Sequence, residues 1–201
     1  MAQTEITVQV FEQINNLKKK LTLLGYTETE EFNGNDYYFT TLNKNESNTA
    51  SYQKLLDSSI IVRSYHTKSS PQKTSMLLFK NKTFDIKGTV ISEEKVSTKI
   101  DNPENTIKIL NLAKLNNWLS LKQTNAFYKL EEKTLIVGTV EGLNGCFLEI
   151  EEYDSIKNLT PTQKIEILKA DALNLGFNLG NDFSVKKAEM LHEKTKKTRV
   201  L

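Results

Sequence analysis

The stretch GCFLEIEEY, residues 145–153, decides how this chain is read. Successive side chains of a β-strand point to opposite faces. Phe147, Glu149, Glu151 and Tyr153 therefore share one face, and Leu148 and Ile150 share the other. One face is apolar as far as Ile150, while its reverse carries two glutamates spaced by one residue. The question is what that charged face meets.

Outward from this run the same period of two recurs. EITVQV (5–10), DYYF (36–39), SSIIVRSY (58–65), TSMLLFK (74–80), VISEEKVSTKI (90–100), LSLKQTNAFYKL (119–130), KTLIVGTV (133–140) and CFLEIEEY (146–153) are β-branched, aromatic and alternating, which predicts about eight strands. In EITVQV, Glu5, Thr7 and Gln9 lie opposite Ile6, Val8 and Val10. Arg63 lies with Ile61 and Tyr65, Lys80 with Met76 and Leu78, and Lys122 with Ser120 and Thr124. Charges of both signs thus recur on one sheet face. Either that face is exposed to solvent, as in antiparallel sheets covered by helices on one side, or the sheet curls so that it lines a cavity.

Between the strands the period changes to that of a helix. Val10, Ile14, Leu17, Leu21 and Leu24 recur at three- and four-residue intervals before Gly25, which predicts an amphipathic helix with a glycine stop. Asn102 and Pro103 open a second helix, with Ile107, Leu110 and Lys114 on one side, ending near Asn116 and Asn117. Thr160 and Gln163 have the spacing of a capping box, with Pro161 in the first turn and Gly176 after the last apolar residue, Leu175. Residues 184–194 suggest a fourth helix. Each half of the chain reads strand, helix, then three strands, the pattern of an internal repeat.

Composition narrows the function classes. With 27 basic and 25 acidic residues the net charge is +2, so no overall field favours nucleic acid. Six of the last sixteen residues are basic, from Lys186 and Lys187 to Arg199, and read either as a solvated terminal helix and tail or as a phosphate contact. One cysteine, Cys146, rules out an internal disulfide, and His66 and His192 are too far apart in sequence for a zinc motif. The amino-terminal residues lack a secretion signal and no run is long enough to span a membrane, so a cytoplasmic protein is expected.

The ordered segments resemble the CYTH domain, or triphosphate tunnel metalloenzymes, a family that includes class IV adenylate cyclases and thiamine triphosphatases. VGTVEGLNGCFLEIE, residues 137–151, carries the closest likeness, to a segment with an aspartate strand, V-x-G-L-G and F-x-E-x-E. Glu149 and Glu151 keep that pattern, while Gly138 stands where the aspartate would be. Glu5, Thr7 and Gln9 occupy the family's opening E-x-E-x-K, and Asp36, Tyr37, Tyr38 and Phe39 its D-x-Y-F. Arg63 keeps the second arginine of L-R-x-R, with Ile61 at the first. Lys80 ends an L-T-x-K-like LLFK, and Lys122 keeps only the lysine of K-x-R, with Thr124 at the arginine. In the middle strand, Glu93, Lys95 and Ser97 stand at R-x-E-x-E.

The resemblance implies an α+β fold: an eight-stranded antiparallel β-barrel, or tunnel, with flanking helices and two pseudo-repeated halves. Residues 1–180 would form this tunnel domain and residues 181–201 a C-terminal helix and basic tail. It implies metal ligation by Glu5, Glu149 and Glu151, with Mg²⁺ or Mn²⁺ as cofactor, and triphosphate binding by Arg63, Lys80 and Lys122. The implied partner is a nucleoside or other organic triphosphate, hydrolysed or cyclised. Because Gln9 replaces the lysine that assists the chemistry, no catalytic residue is assigned. The missing charges leave a second expectation open, a catalytically impaired nucleotide- or polyphosphate-binding module. A homodimer is also left open.

Overall fold

A computed structural model of the chain describes residues 4–57, 59–70, 72–84 and 90–199. Eight strands are present: β1 (Glu5–Val10), β2 (Thr27–Thr40), β3 (Ile60–Thr67), β4 (Thr74–Phe84), β5 (Val90–Lys99), β6 (Asn116–Leu130), β7 (Lys133–Val140) and β8 (Cys146–Glu151). They form one antiparallel sheet in the order β1-β8-β7-β6-β2-β3-β4-β5. The helices are α1 (Ile14–Leu23), α2 (Lys44–Thr49), α3 (Tyr52–Asp57), α4 (Pro103–Leu112), α5 (Pro161–Asn174) and α6 (Lys187–Arg199). The two halves follow one order, β1-α1-β2-β3-β4 and β5-α4-β6-β7-β8, with α2 and α3 added only to the first.

Local chemistry accounts for the helix ends. Thr160 accepts from the Gln163 amide while the Gln163 side chain accepts from the Thr160 amide, so two otherwise unsatisfied donors of α5 are capped reciprocally. Asn102 caps α4, and Gly25 takes φ +89°, a conformation open to glycine, just beyond α1. Val10, counted both in the strand 5–10 and in the stripe of the first helix, ends β1 as the strand reading has it, and Leu24 is left exposed. The turn from β7 to β8 places Gly142 and Gly145 at positive φ, which explains both glycines of VEGLNG.

The sheet is covered on both faces. On the outer face Leu17 and Leu21 of α1 and Leu168 and Ala172 of α5 pack with Val8, Val137, Leu148 and Ile150. Each such buried Val, Leu or Ile side chain contributes about 1.5–3 kcal/mol relative to exposure. On the inner face Tyr38, Ile61, Leu78, Leu121 and Phe147 enclose a second apolar cluster with Leu56 of α3 and Ala188 and Leu191 of α6. The helix expected over residues 184–194 is therefore α6, inserted against the concave side of the sheet.

The expected barrel is not closed. Among the described residues β1 and β5 are the edges of an open sheet. The outer edge of β1 is instead met by the chain entering α6. Thr7 donates to the Phe183 carbonyl at 3.1 Å, and Val185 and Gly180 donate to the carbonyls of Thr7 and Gln9 at 3.1 and 2.8 Å. These bonds occupy groups that a closing β5 would need, and they shield the edge from other strands. No helix among the described residues is long and apolar enough to cross a membrane.

Candidate functional site

The concave face is polar beside its apolar cluster. Asp36 on β2 and Arg63 on β3 are directly paired in register. The Arg63 guanidinium donates twice to the Asp36 carboxylate, at 2.7 and 2.6 Å. Such a two-point fork fixes orientation as well as charge. Burial works against the Arg63 charge, but Asp36 outweighs it, aided by Tyr38 and Glu149, and raises the guanidinium pKa further. Gln123 on β6 donates to Asp36 at 3.4 Å and accepts from the Lys187 ammonium at 3.2 Å. Lys187, the first residue of α6, also forms an ion pair with Glu149 of β8. An unbroken chain of contacts thus runs Arg63–Asp36–Gln123–Lys187–Glu149.

These residues, with Thr7, line a cavity of about 110 Å³. A second cavity of about 220 Å³ adjoins it, and Glu5, Thr7, Val185 and Lys186 border both. Lys186 also lies over the Tyr52 ring, 5.9 Å from its centroid.

The expected site residues divide. Arg63 and Glu149 meet in the first cavity, and Glu5 reaches its rim. Glu151 is directly opposite Glu5 across β1 and β8, as Glu149 is opposite Thr7, and both Glu5 and Glu151 are half-buried. Lys80 lies in β4 opposite Lys95 of β5, and its side chain, like that of Glu93, lies outside the described residues. Lys122 does not join the others. It is 67 % exposed and paired with Glu141 at 2.6 Å, on the face opposite Leu121 and Gln123. A strand has period two, so a shift of one residue reverses every side chain; the cavity receives Gln123 rather than Lys122.

Two positions at which the chain departs from the family's pattern, Gly138 and Gln9, have definite local surroundings. A Cβ at Gly138 would lie 1.9 Å from Asn125 Oδ1 and 2.5 Å from the Thr124 carbonyl. The Asn125 side chain therefore fills the space that an aspartate at position 138 would occupy. Gln9, at the position of the family's lysine, donates at 2.9 Å to the Asn144 carbonyl and braces the β7–β8 turn. Glu149 is engaged by Lys187. Among the described residues no group of three or more His, Cys, Asp or Glu side chains is arranged to hold a metal ion. A hard divalent cation wants several oxygen ligands in near-octahedral order, and this set does not fit one.

Sequence reasoning missed Lys187, Gln123 and the pairing role of Asp36. Lys187 resembled its neighbours in a basic tail, and only the folding of α6 onto the sheet brings it to Glu149, 38 residues away in sequence. Gln123 was detectable, because Leu119 and Leu121 mark the inward parity of β6.

No family model matches the sequence, and no curated protein matches it. Solved structures do match its fold. The PH1819 protein of Pyrococcus horikoshii OT3 superposes with a TM-score of 0.70 at 19 % identity, covering 94 % of this chain and 99 % of that one. A candidate adenylate cyclase from Vibrio parahaemolyticus gives 0.63 at 11 % identity, covering 95 % and 99 %. A candidate adenylyl cyclase from Hippeastrum, described as having a dominant triphosphatase activity, gives 0.60 at 15 % identity, covering 95 % of each chain. At these identities the likeness shows a shared fold.

Proposed function

We infer that this chain, which has the fold of the CYTH proteins, is a divergent member of that group that binds the phosphate chain of a nucleotide or other organic triphosphate without turning it over. The observation that carries this reading is the convergence of donors on one concave cavity. Arg63 has five N–H donors, of which Asp36 takes two, and Gln123 and Lys187 add amide and ammonium donors beside it. Oxyanions of a phosphate chain suit such a set. The cavity, at about 110 Å³, is smaller than the roughly 300–1,000 Å³ of whole small-molecule sites. It accommodates a phosphate end, with the organic part outside or along the adjoining cavity bordered by Thr7 and Lys186.

Loss of turnover follows from what the site lacks. Gln9 is committed to a turn, Gly138 leaves no carboxylate, and Lys122 faces away. Transition-state stabilisation in phosphoryl transfer rests on positioned cations and metal, and half of the family's cationic positions are altered here. The direct opposition of Glu5 and Glu151 favours a second reading, a metal-dependent hydrolase or cyclase.

One experiment separates the two. Tripolyphosphate, ATP and thiamine triphosphate are each mixed with the purified protein in Mg²⁺ or Mn²⁺, and melting temperature and released phosphate or pyrophosphate are recorded. Stabilisation without release is expected. Release abolished by Glu149→Gln would establish the second reading, and absence of stabilisation by all three ligands would overturn the first.

A further inference from the structure

We propose that Lys187 takes the place of a divalent metal at this site, so that a phosphate chain is met by the α6 ammonium together with Arg63 and needs no metal ion to approach Glu149. This rests on the phosphate-binding reading and specifies its chemistry. Three observations converge on it.

The ammonium already holds the Glu149 carboxylate, and the two side chains are only 16 % and 17 % exposed. The lysine is held there by packing as well as by charge. Ala188 and Leu191, one and four residues further along α6, are buried against Leu121 and Phe147, and Val185 is tied to Thr7 by a backbone hydrogen bond. The inserted helix thus delivers one cation to a fixed place. Gly138 supplies the third observation: with Asn125 filling its side-chain space, the carboxylate that would offset a second positive charge has no room.

Charge bookkeeping on the cavity then closes without a metal. Arg63, Lys186 and Lys187 balance Glu5, Asp36 and Glu149. A dication brought to Glu149 would face the Lys187 ammonium across a few ångströms of poorly screened space, where like charges repel strongly. A phosphate oxygen meets no such penalty from Lys187, which can turn its three donors from Glu149 and Gln123 toward the anion. Divalent metal therefore competes with the docked lysine instead of assisting the anion.

The test is calorimetric titration of tripolyphosphate into the full chain, once in excess EDTA and once in MnCl₂. Binding in EDTA is expected to be at least as tight as in MnCl₂, where Mn²⁺ complexes part of the tripolyphosphate in solution. Lys187→Met should weaken binding by about ten- to a hundredfold, the loss of a hydrogen bond to a charged group, and Lys187→Arg, which keeps the cation, should bind more tightly than Lys187→Met. Binding that appears only with Mn²⁺, or that Lys187→Met leaves unchanged, would overturn the proposal. The electron paramagnetic resonance signal of free Mn²⁺, recorded with ligand-free wild type, is an independent readout that does not depend on the variants folding. It should stay undiminished, and a loss of signal reversed by Glu149→Gln would overturn the substitution of lysine for metal. A wild type that bound tripolyphosphate in neither buffer would overturn the phosphate-binding reading, while the Mn²⁺ signal would still report on Lys187.

Discussion

The Asp36→Asn substitution tests the polar network at its most buried point. The Asp36 side chain is 2 % exposed and the Arg63 side chain 23 %, and two short hydrogen bonds join them. The substitution keeps shape and volume but removes the charge that offsets the guanidinium. Breaking a buried pair by removing one partner costs about 3–5 kcal/mol, because the other charge is left uncompensated. Glu149 also acts electrostatically on Arg63 and retains part of that compensation, which places the expected loss near the lower bound, about 3 kcal/mol. For a chain of 201 residues that corresponds to a fall in melting temperature of about 6–12 °C. Urea denaturation at pH 7, followed by circular dichroism with the slope checked for constancy, measures it. Adding Arg63→Met should recover part of the loss, since an apolar replacement of both partners removes the orphaned charge. A loss below about 1 kcal/mol, the range of exposed ion pairs, would refute the claim that this pair is buried and coupled.

Other perturbations have equally definite outcomes. Lys122→Gln should change stability by less than about 1 kcal/mol and leave tripolyphosphate binding intact, because Lys122 and Glu141 are each 67 % exposed; calorimetry and urea denaturation check both. Gly138→Asp should destabilise by about 1–3 kcal/mol through overpacking, given the 1.9 Å approach to Asn125 and the 2.5 Å approach to the Thr124 carbonyl, and Asn125→Gly in the same chain should relieve only the side-chain part of it in thermal melts. Leu191→Ala, in the cluster under α6, should cost about 2–5 kcal/mol, whereas Leu112→Ala, at an 80 % exposed position, should be close to neutral. In acid, the carboxyls of Glu28 and Glu152 are held below the ordinary range. Tyr128 and Lys18 lower Glu28 against the opposing effect of burial. At Glu152, burial is the largest effect and acts upward, but it is outweighed by Lys164 and Thr4 together. Their folded pKa values lie under the unfolded ones, so their stabilisation is present above about pH 4.3 and is lost as pH falls through the folded values. Glu152→Gln should flatten the acid limb of urea midpoints measured against pH.

Much of the fold was legible because it depends on local rules. Alternation in residues 119–130, 133–140 and 146–153 gave strands that β6, β7 and β8 match closely, and the Thr160–Gln163 pair marked the start of α5. Where the pattern was weak, reading failed. TETEEFNG at the start of β2 is too polar to look half-buried, yet pairing with β6 on one side and β3 on the other holds part of it as a strand. The short helices α2 and α3 lack an apolar stripe long enough to reveal them. Closure of the sheet was not readable either, because parity tells which residues share a face but not what meets the edge of β1. There the segment containing Gly180, Phe183 and Val185 makes the bonds.

The placement of a candidate site residue was legible where it follows from its own strand. Arg63 and Glu149 follow from parity. Lys122 was misplaced because a motif spacing was followed one residue out of the phase set by Leu119 and Leu121. Lys187 depends on a tertiary contact made by a terminal helix, and no pattern within residues 184–194 distinguishes a lysine that docks from one that is solvated.

The most direct test of the central claim is a crystal structure of the wild-type protein soaked with tripolyphosphate in EDTA. Phosphate density between the Arg63 guanidinium and the Lys187 ammonium, with Lys187 turned from Glu149, is the result expected. No phosphate density in EDTA, with density on Glu149 and Glu151 appearing only when Mn²⁺ replaces the chelator, or a phosphate chain bound away from the concave face, would contradict it.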